Sequence, residues 1–131
     1  MTDPIGAGYL AAGLTNVLGV LLFSKAFTNR ELAALFPEAF SRFGLLAVML
    51  WGLAYISVRR RWRELRWLAG VFTVEKLAYG VSWLWWLSSH HADMPALWRS
   101  APLTAAFYAI YGAVDFGYML LFAWAFAQAE R

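Results

Sequence analysis

Four apolar runs, residues 6–27, 40–58, 67–87 and 104–127, take up most of this 131-residue chain, and the connections between them are too short to fold alone. A bilayer core about 30 Å thick is crossed by roughly 20 apolar residues rising 1.5 Å each, so every run is about the length of one crossing. Hydrophobic residues make up 62% of the sequence and charged residues 15%. Soluble domains carry roughly 45–50% and 25%, and a soluble globule of this composition would lack the polar surface to cover itself. The expectation is therefore an all-α integral membrane protein, a single antiparallel four-helix bundle over residues 1–131 with the lipid bilayer as its principal partner.

The segments between the runs refine this reading. "FPEAFSRFG" carries Glu38 and Arg42 and reads as an interfacial turn ahead of the apolar "LLAVMLWGLAYISV". Thr28 and Glu31 have the spacing of a capping box, which predicts a short interfacial helix over "TNRELAALF" that Pro37 ends. "SSHHADMPALWRSAP" contains Pro95 and Pro102 and reads as an ordered loop with one short helical piece. "MTDPIGAGYL" lacks a positive n-region, and the run it opens exceeds the roughly 7–15 residues of a signal-peptide core, so the first span is expected to stay in the mature protein.

Charge sets an orientation. Five of the eleven basic residues fall in "RRRWRELR", Arg59 to Arg66, between two spans. That is where a cytoplasmic membrane loop keeps its arginines, and the position excludes a nucleic-acid surface. Arg131 adds a sixth basic residue on the side of both termini, against Lys25, Arg30, Arg42 and Arg99 on the other. Both termini and the Arg59–Arg66 loop are accordingly placed in the cytoplasm, with the chain in a bacterial-type inner membrane. Trp62, Trp67 and Trp98 are expected as interfacial anchors.

The functional signal lies at the middle of the spans. In "VEKLAYG", Glu75 and Lys76 sit about 13 Å from the nearer end of their helix, and a lysine stem reaches only about half that distance. A central charge costs about 2.5–3.5 kcal/mol on insertion, while a Leu, Ile, Phe or Val returns about 0.3–0.6, so these two side chains must face the protein interior. Asp115, in "IYGAVDFGYML", and Asn16 fall at the same depth. Asn16, Lys76 and Asp115 are expected to form a structural polar cluster, with Lys76 paired to Asp115 and Asn16 bridging them. Glu75 is then left over, and a lone carboxylate in low dielectric favours its protonated form.

Helix neighbours point roughly 100° apart, so Glu75 shares its face with Tyr79, Ser82 and Trp86 rather than with Lys76. Asp115 shares its face with Tyr111 and Tyr118. These residues, from Glu75 to Trp86 on one span and from Tyr111 to Tyr118 on the other, are the candidate ligand-binding or proton-coupling group. The bland alternative is that Asn16, Glu75, Lys76 and Asp115 merely hold helices together, through interhelical bonds averaging well under 1 kcal/mol.

Other chemistries find little purchase. The absence of cysteine excludes disulfides, thiolate metal sites and a Cys nucleophile. No HExxH, GxSxG, phosphate-binding loop or dinucleotide pattern occurs, and no motif aligns the chain residue by residue with a four-span exporter, channel or isomerase. His90, His91 and Asp93 are weak metal candidates, because adjacent histidines rarely converge on one ion. No metal, cofactor or catalytic residue is assigned.

The leading reading is binding, with transport coupled to a proton at Glu75, of a small amphipathic or cationic molecule. An accessory role comes second: the stripe Ala105, Ala109, Ala113 and Gly117 would dock onto a second copy or a larger membrane complex. An enzyme acting on a lipid-soluble substrate comes third, with Glu75 and Asp115 as acid and base.

Overall fold

The computed structural model describes residues 2–131 and is 84% helical, with no strand among the described residues. Two compact units divide the chain, Met1–Arg60 and Arg61–Arg131.

In the first unit, helices α1 (Pro4–Phe23), α2 (Arg30–Leu35), α3 (Pro37–Phe40) and α4 (Arg42–Val58) follow one another. α1 starts where Asp3 accepts a hydrogen bond from the Gly6 N–H at 3.1 Å and Pro4 supplies a preset φ at the first helical position. α1 and α4 run antiparallel and close. A Cβ on Gly13 would overlap Ile56, and one on Gly52 would lie 2.7 Å from the Asn16 Cβ. Glycines at these two crossings let the backbones approach.

α1 ends at Phe23, four residues short of the expected end at 27. Lys25, Ala26 and Phe27 all take left-handed backbone angles, with φ of 51°, 56° and 69°, which costs a non-glycine residue about 1–2 kcal/mol each. A local network holds this turn. The buried Ser24 accepts from the Asn29 N–H at its carbonyl (2.8 Å) and from the Phe27 N–H at its hydroxyl (2.9 Å). The Asn29 amide donates to the Phe23 carbonyl at 2.9 Å.

The turn also moves the cap of α2 by one residue. Asn29, not Thr28, accepts from the Leu32 N–H (3.2 Å), while the Thr28 hydroxyl is drawn back to the Lys25 carbonyl (2.6 Å). Pro37 opens α3 as well as closing α2, and Ser41 caps α4 through the Gly44 N–H at 3.0 Å.

The second unit contains α5 (Arg66–His90), a 3₁₀ turn (His91–Asp93), α6 (Met94–Ser100) and α7 (Pro102–Gln128). α5 and α7 are antiparallel. Trp67 meets Phe126 with ring centroids 5.7 Å apart, and Phe72 meets Phe122 at 5.2 Å. The Glu130 N–H donates to the Arg63 carbonyl at 2.8 Å, and the Arg66 guanidinium lies 3.8 Å from the centre of the Phe126 ring. Of the three expected anchors, Trp67 and Trp98 are exposed, but Trp62 is buried and covered by the Arg63 guanidinium at 4.4 Å.

Two helices, α1 and α7, are long and apolar enough to cross a membrane. α4 is apolar but has only 17 residues. α5 has the length at 25 residues, but Arg66, Glu75 and Lys76, with four Trp, three Ser and Tyr79, dilute its hydropathy. All four long helices nonetheless turn large apolar side chains outward: Leu18 on α1, Phe43 (80% exposed) on α4, Trp67 (74%) and Val74 on α5, Leu120 on α7. The buried polar residues are Asn16, Ser24, Glu75, Lys76 and Thr104. The interior is still mainly apolar, with Ile5, Leu32, Leu45, Phe72 and Phe122 buried, so the distinguishing feature is the extent of large apolar side chains on the outside.

Candidate functional site

α5 and α7 can pack tightly because each offers a glycine to an aromatic ring of the other. A Cβ on Gly80 would come within 2.7 Å of the Phe116 ring, and one on Gly112 would overlap the Trp83 indole. The same indole donates from Nε1 to the Tyr108 carbonyl at 2.7 Å, one helical turn before Gly112. These reciprocal contacts hold the two helices together: on α7 they fall on either side of Asp115, and on α5 both follow Lys76, Gly80 by one turn and Trp83 by two.

Between them lies an ionic trio. Lys76 Nζ donates to Asp115 Oδ1 at 3.0 Å, and Glu75 Oε2 stands 4.0 Å from the same ammonium. The side chains are nearly inaccessible, 2% for Lys76, 6% for Glu75 and 14% for Asp115. Helix geometry alone would separate Glu75 from Lys76, but the flexible lysine stem bends across that gap. At 4.0 Å the contact is electrostatic and too long for a hydrogen bond. The Tyr118 ring completes the surroundings of the ammonium, its centre 5.9 Å from Nζ, at the outer limit of a cation–π contact.

A second polar group lies one to two turns along α5. The Ser82 hydroxyl donates to the Tyr79 carbonyl at 2.7 Å, which uses its single proton. The Tyr111 hydroxyl, 3.1 Å away, must therefore donate to Ser82. Tyr111 also stacks on Phe107, with centroids 5.2 Å apart and planes at 16°. Trp86 is sandwiched, stacked on Tyr108 at 4.3 Å and on His90 at 4.5 Å.

Lys76, Asp115, Glu75 and Tyr118 thus meet at one place, Ser82 and Tyr111 meet at another, and Trp86 belongs to an aromatic stack. Asn16 lies in the first unit, where its amide donates to the Val48 carbonyl at 3.0 Å. His90 Nδ1 is 2.9 Å from the Trp86 carbonyl and His91 Nδ1 is 3.2 Å from the Ser88 carbonyl, so each ring is turned to its own helix end. No group of three potential metal-ligating side chains occurs among the described residues.

Gly80, Gly112 and Phe116 were not among the expected site residues. Their signal is positional: Gly80 stands one turn after Lys76 and Gly112 one turn before Asp115, each facing a bulky ring. Comparison with protein families, with curated proteins and with solved structures finds no match to this chain.

Proposed function

We propose that α4 and α5 cross the bilayer together with α1 and α7, and that the α5–α7 site binds a small amphipathic or cationic molecule in exchange for a proton at Glu75. The observation that carries this is the charge count of the buried trio. Two carboxyl groups, Glu75 and Asp115, share one ammonium, Lys76. A charge left uncompensated in a low-dielectric interior is costly, so the trio needs one further positive charge, a proton or a bound cation. The two are interchangeable at that site, which is the elementary requirement for coupling one to the other. Aromatic rings nearby, Tyr79, Tyr111 and Tyr118, suit the face of a cation or the body of an amphiphile.

The outward apolar faces support the four crossings. α4, at 17 residues, lies at the short end of the spanning range, and Arg42 and Arg59 at its ends can reach the interface. Because the chain has no cysteine, single substitutions report topology cleanly. Glu64→Cys and His91→Cys flank α5 and should be labelled by an impermeant thiol reagent from opposite sides of the membrane, Glu64→Cys from the cytoplasm. Labelling of both from one side would remove the α5 crossing. Glu75→Gln should abolish binding of the lipophilic cation tetraphenylphosphonium in proteoliposomes while helicity is kept; unaltered binding would remove Glu75 from the mechanism.

A second reading, as a subunit or homodimer, draws on the outer face of α7. Ala113 and Gly117 are exposed, and nothing lies within 4 Å of a Cβ built on Gly117. Such a surface admits a neighbouring helix backbone. A stoichiometric partner retained in mild detergent would favour it. The enzymatic reading needs Asp115 as a freely exchanging acid or base, and the 3.0 Å contact with Lys76 disfavours it.

A further inference from the structure

The first unit holds a groove of about 330 Å³ that the α5–α7 site does not involve. Phe27, Ala33, Ala34, Pro37 and Leu45 give it an apolar floor, and its polar lining is Asn29, Ser41, Arg30 and Arg42. Both arginines are exposed, and neither has a hydrogen-bond or ion-pair partner among the described residues. The acidic residues of the same stretch, Glu31 and Glu38, do not line it. Ser41 does: its hydroxyl oxygen accepts from the Gly44 N–H, which leaves the hydroxyl proton for an acceptor in the groove. The groove also lies at the N-terminal end of the 17-residue α4, whose dipole adds positive potential.

We propose that this groove binds the phosphate headgroup of an anionic membrane lipid, with the guanidinium groups of Arg30 and Arg42 on the phosphate oxygens and an acyl chain against the apolar floor. Guanidinium is the side chain whose fork of donors matches phosphate geometry. A free phosphate would leave the floor without a partner, which is why the amphiphile is the better occupant. The left-handed turn at Lys25–Phe27 has a use here, since it brings Phe27 into the same lining as Arg30, three residues on. The proposal takes its ligand from the membrane reading above and is independent of the buried trio.

Native mass spectrometry of the full chain in mild detergent tests it, with phosphatidylglycerol and phosphatidylcholine of identical acyl chains offered at equal concentration. The expected result is one retained phosphatidylglycerol with about thirtyfold preference, the scale that two arginines supply near an anionic headgroup. Arg30→Gln/Arg42→Gln should bring the preference close to parity, Arg30→Lys/Arg42→Lys should retain only part of it because the charge stays and the guanidinium fork is lost, and Arg60→Gln/Arg61→Gln should leave it unchanged. Parity in the unsubstituted chain overturns the proposal, as does a preference that survives Arg30→Gln/Arg42→Gln. Displacement of the lipid by inorganic phosphate at equal concentration overturns it in favour of a free-anion site. A chain that stays soluble without detergent instead fails the membrane reading itself, which separates the two.

Discussion

Trp83 lies so close against Gly112 that a Cβ at position 112 would overlap its indole, while its Nε1 reaches the Tyr108 carbonyl one turn away. One side chain thus fixes both the spacing of α5 and α7 and their register. Gly112→Ala should lower stability by about 1–3 kcal/mol through overpacking, read as a fall in the unfolding midpoint in detergent. Gly19→Ala, where nothing lies within 4 Å of the added carbon, should show no such fall.

The trio makes an asymmetric prediction. Lys76→Met leaves two buried carboxyl groups with no cation and should cost about 3–5 kcal/mol, the range for breaking a buried pair. Asp115→Asn leaves one acid and one base, because Glu75 remains 4.0 Å from the ammonium, and should cost less. Thermal unfolding of the two variants under one condition decides the order. Equal losses would mean that Glu75 does not share the charge of Lys76.

Ser82 and Tyr111 should couple weakly. Interhelical polar contacts in membranes average about 0.6 kcal/mol, so a double-mutant cycle of Ser82→Ala and Tyr111→Phe should give a coupling below about 1 kcal/mol. A larger value would indicate that the 3.1 Å contact belongs to a wider network.

The turn after α1 offers a stabilising change. Ala26 has φ of 56°, a conformation that glycine adopts without the penalty of about 1–2 kcal/mol borne by other residues. Ala26→Gly should therefore raise the unfolding midpoint, by less than the full penalty because the unfolded chain also gains freedom. A lowered midpoint would mean that the left-handed turn carries no strain.

Much of this was legible in the residues themselves. The cost of charge within an apolar run predicted that Glu75, Lys76 and Asp115 turn inward, and the helical character of the four apolar runs followed from their length. Periodicity cannot show the path of the connections. The end of α1 at Phe23 depends on Ser24 and Asn29 capturing the backbone of a left-handed turn, and no residue there is glycine to announce it. The transfer of the α2 cap from Thr28 to Asn29 follows from the same turn. The glycine–ring contacts at Gly80 and Gly112 needed the register of α5 against α7, which only packing sets. Trp62 looked like an interfacial anchor by position, but the adjacent arginine covers its ring instead.

The exchange of a proton for a cation at the buried trio is tested most directly by counting protons. Unsubstituted protein in weakly buffered detergent solution, titrated with tetraphenylphosphonium and followed with a pH indicator, should release about one proton per cation bound wherever the site starts protonated. Affinity should strengthen as pH rises, because proton and cation compete for the same charge. Glu75→Gln should release none. Cation binding without proton release in the unsubstituted chain, at every pH, would contradict the account.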